Sequence, residues 1–196
     1  MYRRLLAVLV TALVVVPVAS AARVHVRIEG KTRTLFGATQ PALDATNALD
    51  ALESASLAAE LYYHVQQTAF GPYVDQVGRY AGAGQTGWVF KVNGKSPPVG
   101  ADQVQLHDGD TVLWYWAQFG VAGGPRTLVL QRARADCYSA FTEDDNGVKA
   151  PAAGAVLRVG SRRSVSTKAG AACVGKHRGL LVRAILGGAV RSNALA

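Results

Sequence analysis

The chain has 196 residues, of which 49% are hydrophobic, 17% charged and 8% aromatic, with 21 glycines. This mix excludes a disordered tail or a collagen-like fibre and sets the class as globular, one ordinary domain or two small ones. The formal charge is +8, and its distribution is uneven.

Residues 1–21 read as a secretory signal peptide. Arg3 and Arg4 form a positive start, Leu5 to Val16 an uncharged apolar run, and Pro17 breaks it. Ala19-Ser20-Ala21 supplies the small residues a signal peptidase accepts. The run is shorter than the roughly 18–20 apolar residues a membrane span needs. No cysteine follows it to carry a lipid. The mature protein is therefore expected to begin near Ala22 and to be secreted, extracellular or associated with the cell surface. The two cysteines, Cys137 and Cys173, both lie in the last third. In an exported chain such a pair is expected as a disulfide, and the absence of any CxxC argues against a metal site.

Residues 22–131 hold eight Lys/Arg and nine Asp/Glu, whereas 132–196 hold eleven and four. The aromatics are lopsided as well, with only Tyr138 and Phe141 after Phe119. Two domains are expected, 22–131 and 132–196.

In the first, Val24-His25-Val26-Arg27-Ile28 alternates as a half-buried strand, and Arg33 to Phe36 forms a second after the Gly30-Lys31 turn. A helix follows, capped by Thr46, with Ala48, Leu49, Leu52, Ala55 and Ala59 on one face. Period two then returns. Tyr63–Gln67 and Tyr73–Val77 are strands about a Phe70-Gly71-Pro72 turn. Trp88–Val92 is a strand ended by Asn93-Gly94, a pair suited to positive φ. Leu106-His107-Asp108-Gly109-Asp110 is a tight turn before the strand Thr111–Trp116. One helix and about five strands predict an α+β fold, a mixed sheet with the helix across it.

The segments Thr46–Leu52, Phe70–Val74, Gly87–Gly94 and Leu106–Trp114 occur in an order that resembles the transcobalamin-like C-terminal domain family. The resemblance covers about residues 24–120 and implies a secreted β-grasp-like module of unknown function. In the cobalamin carriers, the related domain closes over the vitamin, so cobalamin is the ligand the resemblance implies.

In the last third, Ala155–Val159, Ala172-Cys173-Val174 and Leu180–Ala184 read as strands. Turns fall at Asp144–Gly147 and Thr167–Gly170, and Ala189–Asn193 closes the chain. The spacing is similar to transthyretin-like repeats of the carboxypeptidase regulatory type, which implies a small antiparallel β-sandwich. A core of that size gains from a disulfide.

Motifs for chemistry are sparse. His25, His64, His107 and His177 form no HxH or HxxxH, and Asp108 and Asp110 read as turn residues. No GxSxG, Walker or Rossmann glycine pattern is present. The chain is thus expected to be no enzyme and to need no cofactor or metal.

The strand at 111–116 is apolar on both faces, with Val112, Trp114 and Trp116 on one and Leu113 and Tyr115 on the other. One helix covers one face. The second needs a loop, the other domain, a partner or a ligand. Leu113, Trp114, Tyr115 and Trp116 are therefore the candidate ligand-binding residues of a non-catalytic binding protein. Its ligand would be a flat small molecule such as a corrinoid, or an extracellular protein. The alternative is an interaction protein held to the envelope, where Arg162, Arg163, Lys176, His177 and Arg178 would meet an anionic polymer. Nucleic acid is not an expected partner.

Overall fold

A computed structural model describes residues 20–121, 123–160, 162–165 and 169–196, with 162–165 described by backbone. The expected signal peptide lies outside the described residues except for Ser20 and Ala21. The elements in chain order are β1 (Ala22–Glu29), β2 (Thr34–Phe36), β3 (Ala42–Ala45), α1 (Ala48–Ala58), β4 (Tyr63–Thr68), β5 (Gly71–Val77), β6 (Tyr80–Ala81) and β7 (Thr86–Val92). A short 3-10 turn at Ala101–Gln103 precedes β8 (Thr111–Gln118), β9 (Thr127–Arg134), β10 (Cys137–Glu143) and β11 (Lys149–Pro151). The last strands are β12 (Val156–Val159), β13 (Arg162–Val165), β14 (Ala171–Cys173), β15 (Val182–Ile185) and β16 (Ala194–Leu195).

The expected α+β class is corrected: the chain is mainly β, with a single α-helix among the described residues. The reason lies in how the first sheet is covered. That sheet runs β2-β1-β8-β7, with β3 also on β1, and it is mixed because β1 and β8 are parallel. The helix is only 11 residues long, about 16 Å at 1.5 Å per residue. It buries Ala48, Ala51, Leu52 and Ala55 over Val24, Val26 and Ile28. The remainder of that face is covered by a second sheet, β4-β5-β6, through Val74 and Val77.

Local chemistry explains most elements. The N-cap of α1 is Asn47, one residue later than expected, and its Oδ1 accepts the Asp50 N–H at 2.9 Å. The Thr46 hydroxyl bonds the Asp50 carboxylate instead. Asn93 and Gly94, with φ of 51° and 81°, reverse the chain after β7 and close Val92 and Lys95 onto each other. Asp110 accepts the His107 N–H through its carboxylate, shaping the turn before β8.

The C-terminal residues form two antiparallel four-stranded sheets, one of β9, β10, β11 and β14 and one of β12, β13, β15 and β16. They close sandwich-like on Leu128, Leu130, Tyr138, Leu157 and Val182, all buried. Cys137 and Cys173 are register partners on β10 and β14 and are disulfide-bonded. The division expected after residue 131 falls inside β9. Residues 189–193, expected only to close the chain, cross toward the first sheet, with Val190 bridging Thr127 and packing on Leu113 and Tyr115.

That crossing explains the second face of β8. Leu113, Tyr115 and Ala117 are buried against Val190. Their neighbours on the same face, Arg27, Glu29 and Lys91, are buried too, so β1 is half-buried as its alternation predicts only as far as Val26 and is buried on both faces beyond it.

Candidate functional site

A groove of about 340 Å³ runs beside β7, the edge strand of the first sheet. Phe90 and Trp114 line it as a stacked pair with ring centroids 5.0 Å apart, joined by Trp88 and Tyr115. Pro72 and Tyr73 of β5 form one wall, and Pro97 and Val99 of the following loop the other. Tyr73 and Val99 stand at the rim, 42% and 46% exposed. Gly87 lets Tyr73 lie across β7, because a Cβ there would collide with the Tyr73 hydroxyl.

The groove's polar groups include backbone as well as the Tyr73, Ser96, Tyr115 and Asp145 side chains of its lining. Asn93 N–H donates to Thr111 O, and Phe119 N–H to Gln85 O, so the odd residues of β7 bond to β8. The antiparallel alternation then turns the N–H and C=O of Trp88 and Phe90 toward the open edge. Thr86 and Val92 point the same way but bond Ala83 and Lys95. No strand pairs with this edge among the described residues. Asp145 supplies a charge at one end, 3.5 Å from the Lys91 ammonium. Burial, reinforced by the Asp145 charge, pushes the Tyr115 hydroxyl well above its ordinary pKa and keeps it neutral.

The four candidate residues are divided among three cavities. Trp114 and Tyr115, each 2% exposed, belong to the groove. Trp116 lines a separate depression, where the Lys31 ammonium lies 4.9 Å from its ring centroid. Leu113 lines a third, polar cavity with Arg27 and Lys91. The proposed basic patch is divided as well. Lys176 and Arg178 are exposed, whereas His177 is buried, with Nε2 2.8 Å from the Tyr138 hydroxyl and Nδ1 3.1 Å from Asp136. The side chains of Arg162 and Arg163 lie outside the described residues. Among the described residues no group of three or more His, Cys, Asp or Glu side chains is placed to hold a metal ion. No described helix is long and apolar enough to cross a membrane.

A family model described as a domain of unknown function (DUF4430) matches residues 45–118. The match lies within the region of the transcobalamin-like resemblance, and it holds every lining residue of the groove except Phe119 and Asp145. No curated protein matches the chain. Among solved structures, a Ruminococcus gnavus protein named as a candidate metal binding protein is similar at 17% identity with a TM-score of 0.39. The match covers 50% of this chain and 99% of that one. Neither a fold nor a ligand for this chain follows from that similarity.

Sequence reasoning singled out Trp114 and Tyr115 because their strand is apolar on both faces, and the structure places both in the groove lining. It missed Phe90, Pro97, Val99 and Tyr73 as a set, because no spacing places a loop and a second sheet beside one strand edge. It also placed Arg27 on the solvent face of a half-buried strand. The only signal against that reading was a surplus of strand faces over available cover.

Proposed function

We propose that this is an exported, non-catalytic binding protein that takes a small flat ligand into the groove on the edge of β7. The observation that carries this reading is the conjunction at Trp88–Phe90 of outward backbone donors and acceptors with an aromatic lining. An apolar cleft of several hundred Å³ with a few convergent polar groups is the usual form of a small-molecule site. Aromatic rings select planar ligands by offset stacking, and the edge N–H and C=O groups orient them. A corrinoid, the ligand implied by the resemblance, is too large for a cavity of about 340 Å³ to enclose and would enter by a ring edge or a side arm. The disulfide is compatible with an extracellular setting.

Calorimetry of the chain lacking residues 1–21, with cyanocobalamin and with a series of planar aromatic fragments, tests this reading. Saturable binding at or below about 100 μM is expected for at least one probe. It should be weakened at least tenfold by Val99→Lys and Tyr73→Ala, rim changes that leave the core intact. Absence of heat for every probe, or binding unchanged in both variants, would overturn the groove as the ligand site.

A further inference from the structure

The third cavity, about 320 Å³, lies between the first sheet and the C-terminal residues and is lined by Arg27, Lys91, Lys149, Thr127, Asn193 and Glu143, among others. Its position follows from strand register. Arg27 of β1 and Lys91 of β7 both sit opposite Leu113 of β8. The two cations therefore flank one leucine on the same face, two strand spacings or about 10 Å apart. Both are buried, with exposures of 3% and 1%.

Buried charges are ordinarily paired, because an unpaired ion loses its hydration without return. Here the pairing is incomplete. Arg27 donates through Nη1 to Arg191 O at 2.6 Å and lies 3.5 Å from Glu29. Its Nε–H has no partner. Glu29 is shared with Arg183 at 3.4 Å and Arg191 at 2.9 Å, so three guanidiniums face one carboxylate. Burial lowers the Arg27 pKa to about 10, with Glu29 opposing and Arg183 and Arg191 adding to the fall. Lys91 is better served: it donates to the Asp144 carbonyl at 2.7 Å and to the Glu143 carbonyl and Thr127 hydroxyl at 3.3 Å, and it lies 3.5 Å from the Asp145 carboxylate. The one carboxylate in the lining, Glu143, is held 3.6 Å from Lys149. Asn93 and Lys149 are exposed and mark the mouth.

We infer that this cavity is an anion site that receives one small oxyanion, a carboxylate or a phosphate, against the incompletely paired Arg27 guanidinium between Lys91 and Lys149. The ion would complete the hydrogen bonding of a buried guanidinium and offset the surplus positive charge at the junction. A planar carboxylate and a tetrahedral phosphate share the required acceptor oxygens. The site is independent of the β7 groove, with which it shares none of its lining residues.

The test is thermal unfolding and calorimetry of the chain lacking residues 1–21, with inorganic phosphate in one arm and succinate in the other. Ionic strength is held constant with chloride. At least one anion should raise Tm in a saturable way and shift the Arg27 Nε–H resonance in a ¹H–¹⁵N spectrum, and whichever does so identifies the ligand. Lys149→Met, at a half-exposed position that folding tolerates, should weaken binding about tenfold. Arg27→Gln should abolish it if that variant folds, and Val99→Lys should leave it unchanged. An unmoved Arg27 resonance with no Tm rise beyond the chloride control in either arm would overturn the inference. Equal affinity in the Lys149→Met and unaltered proteins would also overturn it.

Discussion

Replacing Glu29 by glutamine should destabilise the protein by about 3 kcal/mol. The Glu29 side chain is fully buried, and its carboxylate is the shared acceptor for Arg191, Arg183 and Arg27, with the Thr34 hydroxyl bonding both oxygens at 3.0 Å. Glutamine keeps the volume and one acceptor but removes the charge and turns an N–H₂ toward guanidiniums. Breaking a buried pair by removing one partner costs about 3–5 kcal/mol, because the other charge stays desolvated. Arg183 and Arg191 retain 17% side-chain exposure, so water offsets part of that cost and the lower end applies. A loss of that size is a large share of the roughly 5–15 kcal/mol typical of a folded domain. Urea unfolding at pH 7, followed by tryptophan fluorescence, reads it as a fall in midpoint at constant slope. Because Glu29 belongs to the first sheet while Arg183 and Arg191 belong to the C-terminal residues, both cores should lose stability together. A loss below about 1 kcal/mol would refute the reasoning, since the guanidiniums would then find partners without the carboxylate.

Other consequences follow from the same geometry. The disulfide joins residues 36 positions apart, and its reduction should cost about 4 kcal/mol on the chain-entropy model, read from urea unfolding with and without a reductant. Asn47→Ala removes the α1 cap and should cost about 1 kcal/mol, with helix amides exchanging faster by hydrogen–deuterium exchange. The N–H groups of Val148 and Asn146 donate to the Asp144 carboxylate and hold its pKa below the ordinary value of 3.8. The stability this gives is present above pH 3.8 and is lost as pH falls through the lower folded value. A carboxyl-carbon NMR titration should place Asp144 below 3.8, and a value at or above it would contradict the turn geometry.

Much of the local structure was legible from periodicity and turn chemistry. Alternation in Trp88–Val92 and Thr111–Trp116 marked β7 and β8, and Asn93-Gly94 and Asp108-Gly109-Asp110 marked the turns that bound them. The helix was legible from its alanine and leucine face. Its cap lay one residue beyond the expected Thr46 because both residue types can accept an N–H, and only the chain path decides between them. The overall class was not legible. Deciding between α+β and mainly β required knowing that β4–β6 covers the sheet where the short helix does not, a contact set by Val74 and Val77 rather than by any local pattern.

The same holds for the candidate site. Adjacent residues on a strand point to opposite faces, so Leu113, Trp114, Tyr115 and Trp116 could not share one pocket on a flat sheet. Trp114 and Tyr115 meet in one groove because β7 is an edge, and the cavity wraps around it. Arg27 and Lys91 had the residue type and spacing of solvent-facing strand positions. What buried them was Arg191, Thr127 and Glu143, placed there from more than 30 residues away in sequence.

The central claim, a ligand groove on the β7 edge, is tested most directly by the tryptophan indole N–H signals in a ¹H–¹⁵N spectrum during titration with cyanocobalamin and the planar fragments. Trp88 Nε1–H donates to Tyr80 O at 2.7 Å and Trp114 Nε1–H to Ala48 O at 2.9 Å, so both indoles are fixed reporters beside the groove. The account predicts saturable shifts at Trp88 and Trp114, with Trp116 shifting least. Shifts confined to Trp116, or none at Trp88 and Trp114 for any probe, would contradict it.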